Sequence, residues 1–472
     1  MRHFLKSRRF VGFLVFILVL GGCATYYQQN HQLQKYIVSG NLQKADQLLN
    51  QDTRSREGRN KLLYYLNHGY VEWMLNRYQV SNQYFLEADR IVEDYLRNYG
   101  LEALALLTNP KIKPYRPEDF EAVMLHYYTA LNFIQLNDYE DALVECRRIN
   151  LRLQQLNDQY ADHKNRYQRD AFAHNLMGMI YEAAGDYNNA FIAYRNAFNV
   201  YEEDYEKYFS VEAPEQLKHD ILRTAYMTGF QDEVRYYEKK FNTTYHHQPH
   251  EHGEVIFFWL NGFGPIKDEW SIHFTKIPSP REGYVIMRNE ELDISFPLYI
   301  GNKSEDEKNA FAQLRFFRVA FPKYVERKPV YQQATLQMKN NRVQLEKAQD
   351  INEIAFKTLR DRMLREMSNA LLRIATKKAL EFAADQENEN LGTLLNIVNT
   401  LTEQADTRNW QTLPYSIHYA RVPLEEGKNV IRLKTQSPRH GNKTQAYTFQ
   451  GQKEKIYFAT KHTTASYAPR IR

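Results

Sequence analysis

One pattern of residue sizes recurs along the first half of the chain and constrains its fold more than any other feature. In Gly178-Met179-Ile180-Tyr181, Gly185-Asp186-Tyr187, Ala190, Tyr194 and Ala197, small, aromatic, turn, small, aromatic and small residues follow at fixed offsets. Started at Ala130, the same offsets give Phe133, Asn137-Asp138-Tyr139, Ala142, Cys146 and Ile149. Started at Gly69, they give Asn76-Arg77-Tyr78, Ser81, Phe85 and Ala88. Gly40-Asn41-Leu42 with Ala45 and Leu49 fits the second half of a unit, and Gly229 to Tyr237 is a degenerate last one. Small residues let two antiparallel helices approach closely, and large ones fill the gap to the next pair. No such pair buries its apolar face alone, so several must stack.

These offsets resemble those of the tetratricopeptide repeat, which predicts a helical array over residues 23–240. The turns at 40, 76, 137, 185 and 229 are not evenly spaced at the usual interval of about 34 residues, so extra segments are inserted. One is Leu107 to Phe120, with Pro110, Pro114 and Pro117. In this fold the first helix of each unit lines a concave groove. The offsets place Leu66, Tyr70, Trp73, Tyr127, Leu131, Ile134, Asn175, Met179 and Glu182 there, so Tyr70, Trp73, Tyr127, Asn175 and Glu182 are candidate partner contacts. Exposed apolar patches of that size are rare, so the expectation is a groove filled by another part of the chain. The alternative is an apolar partner. Cys146 falls at a core position and reads as a buried apolar filler.

The first residues carry the zones of an export signal. Arg2, Lys6, Arg8 and Arg9 precede an unbroken apolar run from Phe10 to Leu20, too short to span a bilayer as a mature helix. The run ends in Leu20-Gly21-Gly22-Cys23, which resembles the lipobox of bacterial lipoproteins: residues 1–22 would be removed and the Cys23 thiol acylated. One acyl chain gives only marginal binding, and stable anchoring needs two or more, so a triacylated cysteine would hold the chain on its bilayer. Ala24, not Asp, follows the cysteine, and by resemblance to the enterobacterial sorting rule this favours the outer membrane, facing the periplasm. Without the four leader cations the formal charge of +5 falls to +1, and no arginine-rich block argues for nucleic acid. Cys146 is then the sole remaining thiol, so the fold relies on packing without an internal disulfide.

Periodicity changes after Phe241. A His-rich linker over 241–253 leads into Val255 to Leu260, a fully apolar strand. Further strands are expected at Trp270–Phe274, Tyr284–Met287, Leu292–Ile300, Leu314–Ala320, Ala334–Gln337 and Val343–Leu345, then at Tyr415–Val422, Asn429–Leu433, Gln445–Phe449 and Lys455–Ala459. Residues 351–405 read as helix between them. The predicted class is α+β: a tetratricopeptide-like array, then an antiparallel β-sandwich over 254–350 and 406–472 with a helical hairpin inserted. Pro278, Pro280, Pro297 and Pro322 belong at edges and loops.

Leu107-Thr108-Asn109-Pro110, Pro114-Tyr115-Arg116, Tyr127 to Asn132, Asp141 to Arg148 and Asp406 to Pro414 together resemble a family of tetratricopeptide-like lipoproteins of Gram-negative bacteria. The likeness covers most of the mature chain. It implies an envelope role linked to peptidoglycan synthesis, because such proteins are often genomic neighbours of lipoproteins that activate peptidoglycan synthases.

Three further sites have competing readings. Arg408 can clamp a carboxylate and Trp410 can stack on a sugar, or Asp406 and Arg408 pair to fix a helix exit above a buried Trp410. His246, His247, His250 and His252 offer metal-ligand atoms, but Pro249 favours a loop and no metal site is assigned. Tyr115 and Arg116 either recognise a partner or lock their own Pro-rich loop. No nucleophile elbow or phosphate-binding loop occurs in the sequence, and no cofactor is called for. The sequence therefore reads as a non-enzymatic scaffold or adaptor whose partners are the bilayer and envelope proteins. A glycan- or peptidoglycan-binding lipoprotein is the alternative. A glycan hydrolase comes third, since two carboxylates suffice for that chemistry.

Overall fold

The computed structural model describes residues 26–97, 113–158, 165–290, 294–301, 305, 308, 316–339, 341–363 and 405–468. Among the described residues, five helical hairpins occupy the first half. They pair α1 (26–38) with α2 (Leu42–Asn50), α4 (Lys61–Met74) with α5 (Tyr78–Arg97), and α6 (Asp119–Gln135) with α7 (Tyr139–Asp158). The last two pair α8 (Ala171–Ala183) with α9 (Tyr187–Val200), and α10 (Glu215–Met227) with α11 (Gln231–Phe241). A short α3 (Thr53–Glu57) lies between the first two hairpins.

The expected turn residues all adopt the left-handed conformation, with φ of +74° at Gly40, +59° at Asn76, +60° at Asn137, +78° at Gly185 and +79° at Gly229. At each turn the following N–H reaches back to a carbonyl five residues earlier. The bonds are Asn41 to Tyr36, Arg77 to Glu72, Asp138 to Phe133, Asp186 to Tyr181 and Phe230 to Ala225, at 2.8–2.9 Å. This satisfies carbonyls that each helix end leaves open, and glycine or asparagine is needed because other side chains resist that φ. The small positions meet the aromatic ones of the paired helix. A Cβ on Gly178 would lie 2.3 Å from the Tyr194 ring, and one on Gly69 would lie 2.7 Å from Phe85. Cys146 is fully buried, and burial holds its thiol far above its ordinary pKa.

The described residues of the second half form three sheets. The front sheet has the order β12-β1-β9-β8, the back sheet β11-β10-β6-β7 and the third sheet β4-β3-β2-β5. Their strands are β1 (Glu254–Asn261), β2 (Ile266–Pro278), β3 (Tyr284–Asn289), β4 (Ile294–Tyr299), β5 (Phe316–Val325), β6 (Gln333–Met338), β7 (Asn341–Gln344), β8 (Glu346–Asp350), β9 (Ser416–Pro423), β10 (Gly427–Ser437), β11 (Gly441–Gly451) and β12 (Ile456–Thr463).

Front and back sheets share an apolar core, in which Val255, Phe257, Trp259, Ala420 and Val422 cluster with Ala334, Leu336, Ile431 and Leu433. Two features differ from the simple antiparallel expectation. β1 runs parallel to β12 while its other neighbour, β9, is antiparallel, and β2 to β5 make a separate third sheet. β8 escapes sequence reading because Glu346-Lys347-Ala348-Gln349-Asp350 is polar, yet Gln349 and Asp350 are buried and hydrogen-bonded. Pro297 and Pro322 lie in β4 and β5, the two edges of the third sheet, where a missing N–H costs least. Of the helical segment expected over 351–405, a helix α12 spans 351–363; residues 364–404 lie outside the described residues.

β1 explains how the halves join. Its side chains alternate between two cores: Val255, Phe257 and Trp259 pack toward the back sheet, while Ile256, Phe258 and Leu260 pack into the helical core. Every residue of β1 is buried. The array therefore lies on one face of the front sheet and the back sheet on the other. Each large apolar side chain buried this way contributes roughly 1.5–3 kcal/mol.

Candidate functional site

The groove candidates Tyr70, Trp73, Tyr127, Asn175 and Glu182 are all buried. The front sheet covers them. Tyr70 Oη lies 2.7 Å from His462 Nδ1, on β12. Phe172, stacked on Tyr127, meets Phe258 edge-on at 6.0 Å. Gln135 donates to the Phe458 carbonyl at 3.0 Å. Tyr70 thus meets this chain's own sheet directly and Tyr127 meets it through Phe172, while Trp73 borders the open cleft described below.

At one end of that seam lies a buried ion cluster. Arg421 on β9 donates to Asp220 and Glu182 at 2.8 Å each, and its Nε lies 3.1 Å from Glu254 Oε2. Arg223 donates to both Glu182 oxygens at 2.7 and 2.9 Å and to Asp220 at 2.6 Å. Tyr194 adds a bond to Glu182 at 2.9 Å, and His250 Nδ1 lies 3.0 Å from Glu254. Burial holds the Asp220 and Glu254 carboxyls above their usual range, with Arg223 pulling each the other way. The cluster ties α8 and α10 to the strands. Sequence reading singled out Glu182 as a groove residue and His250 with Glu254 as part of the His-rich cluster; Arg421 in Ile417-His418-Tyr419-Ala420-Arg421-Val422 carried a signal, a charge inside a largely apolar strand.

A second seam holds the 406–414 segment. Arg408 bonds Asp406 through Nε at 2.8 Å and Nη2 at 2.6 Å, and also donates to Asn60 Oδ1 and the Lys113 carbonyl at 3.0 Å each. The Trp410 ring is buried near Phe85 and Tyr128, and the backbone N–H of Trp410 donates to Glu121 at 2.7 Å. Tyr115 is buried too; its hydroxyl donates to Glu121 and the Arg408 guanidinium lies over its ring. Burial pushes the Glu121 carboxyl up to about 7. Arg116 lies over the Tyr95 ring at 4.8 Å. These contacts tie residues 113–116 of the Pro-rich segment to the chain's return to the sheet; residues 107–112 lie outside the described residues.

The histidines do not converge. His247 stacks on Tyr226 at 4.7 Å, His250 faces Glu254, and His246 is exposed. His252 is half-buried and only its backbone is engaged, its carbonyl accepting from Gln452. Among the described residues, no group of three or more His, Cys, Asp or Glu side chains could hold a metal. Cys23 lies outside the described residues; among those described, no helix is long and apolar enough to cross a membrane.

An open cleft of about 960 Å³ escaped sequence reading. On one side are the repeat turns and helix ends, including Val38, Gly40, Trp73, Asn76 and Tyr78. On the other are β11 and β12. Its described lining holds Lys443, Lys461 and several threonines, and no Asp or Glu. His462 is the one imidazole there, and both its nitrogens are engaged, by Tyr70 Oη and the Gly262 carbonyl.

No family model matches the sequence, and no curated protein matches it. Three solved structures to which the chain is similar are the apo form of RapI, MamA from Desulfovibrio magneticus RS-1, and a Podosopora anserina kinesin light chain with TPR-like repeats. RapI shows 14% identity over 46% of this chain and 68% of that chain, with a TM-score of 0.33. MamA shows 13% over 46% and 90%, and the kinesin light chain 14% over 46% and 92%, each with a TM-score of 0.29. The repeat character of the first half rests on its own geometry, the matching turns and the small-to-aromatic helix contacts.

Proposed function

We propose that the protein is a lipoprotein scaffold of the bacterial envelope, anchored through Cys23, that holds partner proteins and performs no chemistry of its own. One observation carries the reading: the cleft is open, about 960 Å³ in volume, and lies between the repeat turns and the edge strands β11 and β12. Its wall of threonine, glutamine, lysine and aromatic side chains suits recognition. The halves share one apolar core, so the cleft has rigid walls, as a binding surface requires. The lipobox-like Leu20-Gly21-Gly22-Cys23 and the family resemblance support the outer membrane and a link to peptidoglycan synthesis.

In-cell crosslinking followed by purification tests this, comparing the native chain with Cys23→Ser. The expected result is a defined set of envelope proteins that is lost without the anchor. Recovery of murein fragments alone would replace the scaffold with the glycan-binding reading.

A further inference from the structure

The cleft has a feature that goes beyond a generic wall. β12 is the last strand of the front sheet. Its parallel pairing fixes which way each backbone group points. The Lys455 carbonyl accepts from Glu254 N at 3.0 Å and the Thr463 carbonyl accepts from Gly262 N at 2.8 Å, so the odd-numbered residues bond toward β1. The N–H and C=O groups of Ile456, Phe458, Thr460 and His462 therefore point away from it, as the Gln135 amide on the Phe458 carbonyl shows. The outward backbone groups of Thr460 and His462 have no partner among the described residues, and both residues line the cleft. An unpaired strand edge is a template for another strand.

The charge of the cleft says what kind of strand. Lys443 on β11 and Lys461 on β12 line the same side of the cleft, neither is ion-paired among the described residues, and no acid is found in its described lining. Burial, and then the nearby Lys443, hold the Lys461 ammonium below its ordinary pKa. A carboxylate between them would relieve both the mutual repulsion and the missing partner.

We propose that the β12 edge binds an extended acidic peptide segment of a partner protein, added as a further strand, with its carboxylates between Lys461 and Lys443. The inference rests on the scaffold reading and names its binding surface and the chemistry of its partner. Main-chain bonds to Thr460 and His462 supply affinity; the lysines and the alternate side-chain positions supply selectivity.

The test uses the full chain in detergent micelles and a fluorescein-labelled octapeptide of alternating threonine and glutamate with blocked ends. Saturable binding at low salt is expected, weakened about tenfold by Lys461→Glu or Lys443→Glu. N-methylating every second peptide amide should weaken it by a similar factor, about tenfold, by removing ladder donors. Thr460→Pro should abolish it, because that N–H points away from β1 and proline is tolerated on an edge. Lys443→Glu, on an exposed side chain, keeps the test valid should the proline variant fold poorly. Equal binding of a lysine-for-glutamate peptide, indifference to N-methylation, or no saturable binding would each overturn the proposal. A dimer that forms without peptide and is lost in Thr460→Pro would assign the edge to a second copy, which also overturns it. If crosslinked envelope partners persist in Lys443→Glu while peptide binding is absent, the groove falls and the scaffold reading stands. Peptide binding without any envelope partner would sink the scaffold reading instead.

Discussion

Arg421→Met is the sharpest probe of how the two halves are held together. Methionine retains most of the apolar stem and removes the guanidinium, so the change is mainly electrostatic. Arg421 touches Glu182, Asp220 and Glu254, all buried, and its loss leaves Arg223 as the one guanidinium in the cluster for three carboxylates. Removing one partner from a buried ion network costs about 3–5 kcal/mol, because the remaining charges stay desolvated and uncompensated. The sign of the pH dependence follows from the same geometry. Burial already lifts the Asp220 and Glu254 carboxyls, and the variant lifts them further. A raised acid in the folded state binds protons better than the unfolded chain, so the penalty is full at alkaline pH and shrinks as pH falls toward the ordinary carboxyl range. Urea denaturation at pH 8 should show a deficit of about 4 kcal/mol, and at pH 5 a deficit smaller by roughly 1–2 kcal/mol. Neutralising the partners as well, in Arg421→Met with Glu182→Gln and Asp220→Asn, should recover most of the loss. A deficit below about 1 kcal/mol at pH 8, or one that is the same at both pH values, would refute the reasoning, since a surface-like pair behaves that way.

Gly178→Ala should destabilise the chain by about 2 kcal/mol in the same assay, because overpacking against the Tyr194 ring exceeds the ~1 kcal/mol that alanine gains in helix propensity. Increased stability would mean that the helices separate easily and that the size pattern is not what sets their spacing. Burial holds the His462 imidazole down to about 4, so its contribution is complete above the ordinary histidine pKa and is lost as pH falls from about 6.5 to 4. His462→Gln should therefore remove about 3 kcal/mol of the acid-induced loss of stability, and an unchanged pH profile would show that the imidazole is not buried as described.

Part of this molecule was legible in the order of its residues. The repeat offsets located the hairpins and their left-handed turns, because helix pairing needs small residues opposite large ones and a chain reversal needs glycine or asparagine. The unbroken apolar run of β1 announced a strand buried on both faces. These are local constraints, written within a few residues of where they act.

What only the tertiary structure decided lies between distant segments. The sequence placed Tyr70, Tyr127 and Glu182 on one face but not against β12, β1 and β9, which follow them by hundreds of residues. The parallel pairing of β1 with β12 likewise has no local signature, since either direction satisfies the same side-chain alternation. The edge position of β12 goes with that pairing, and the cleft arises where this edge and β11 face the repeat turns. Side-chain pattern specifies which face of an element is buried, whereas what covers that face depends on which distant surfaces fit together in shape, charge and hydrogen bonding.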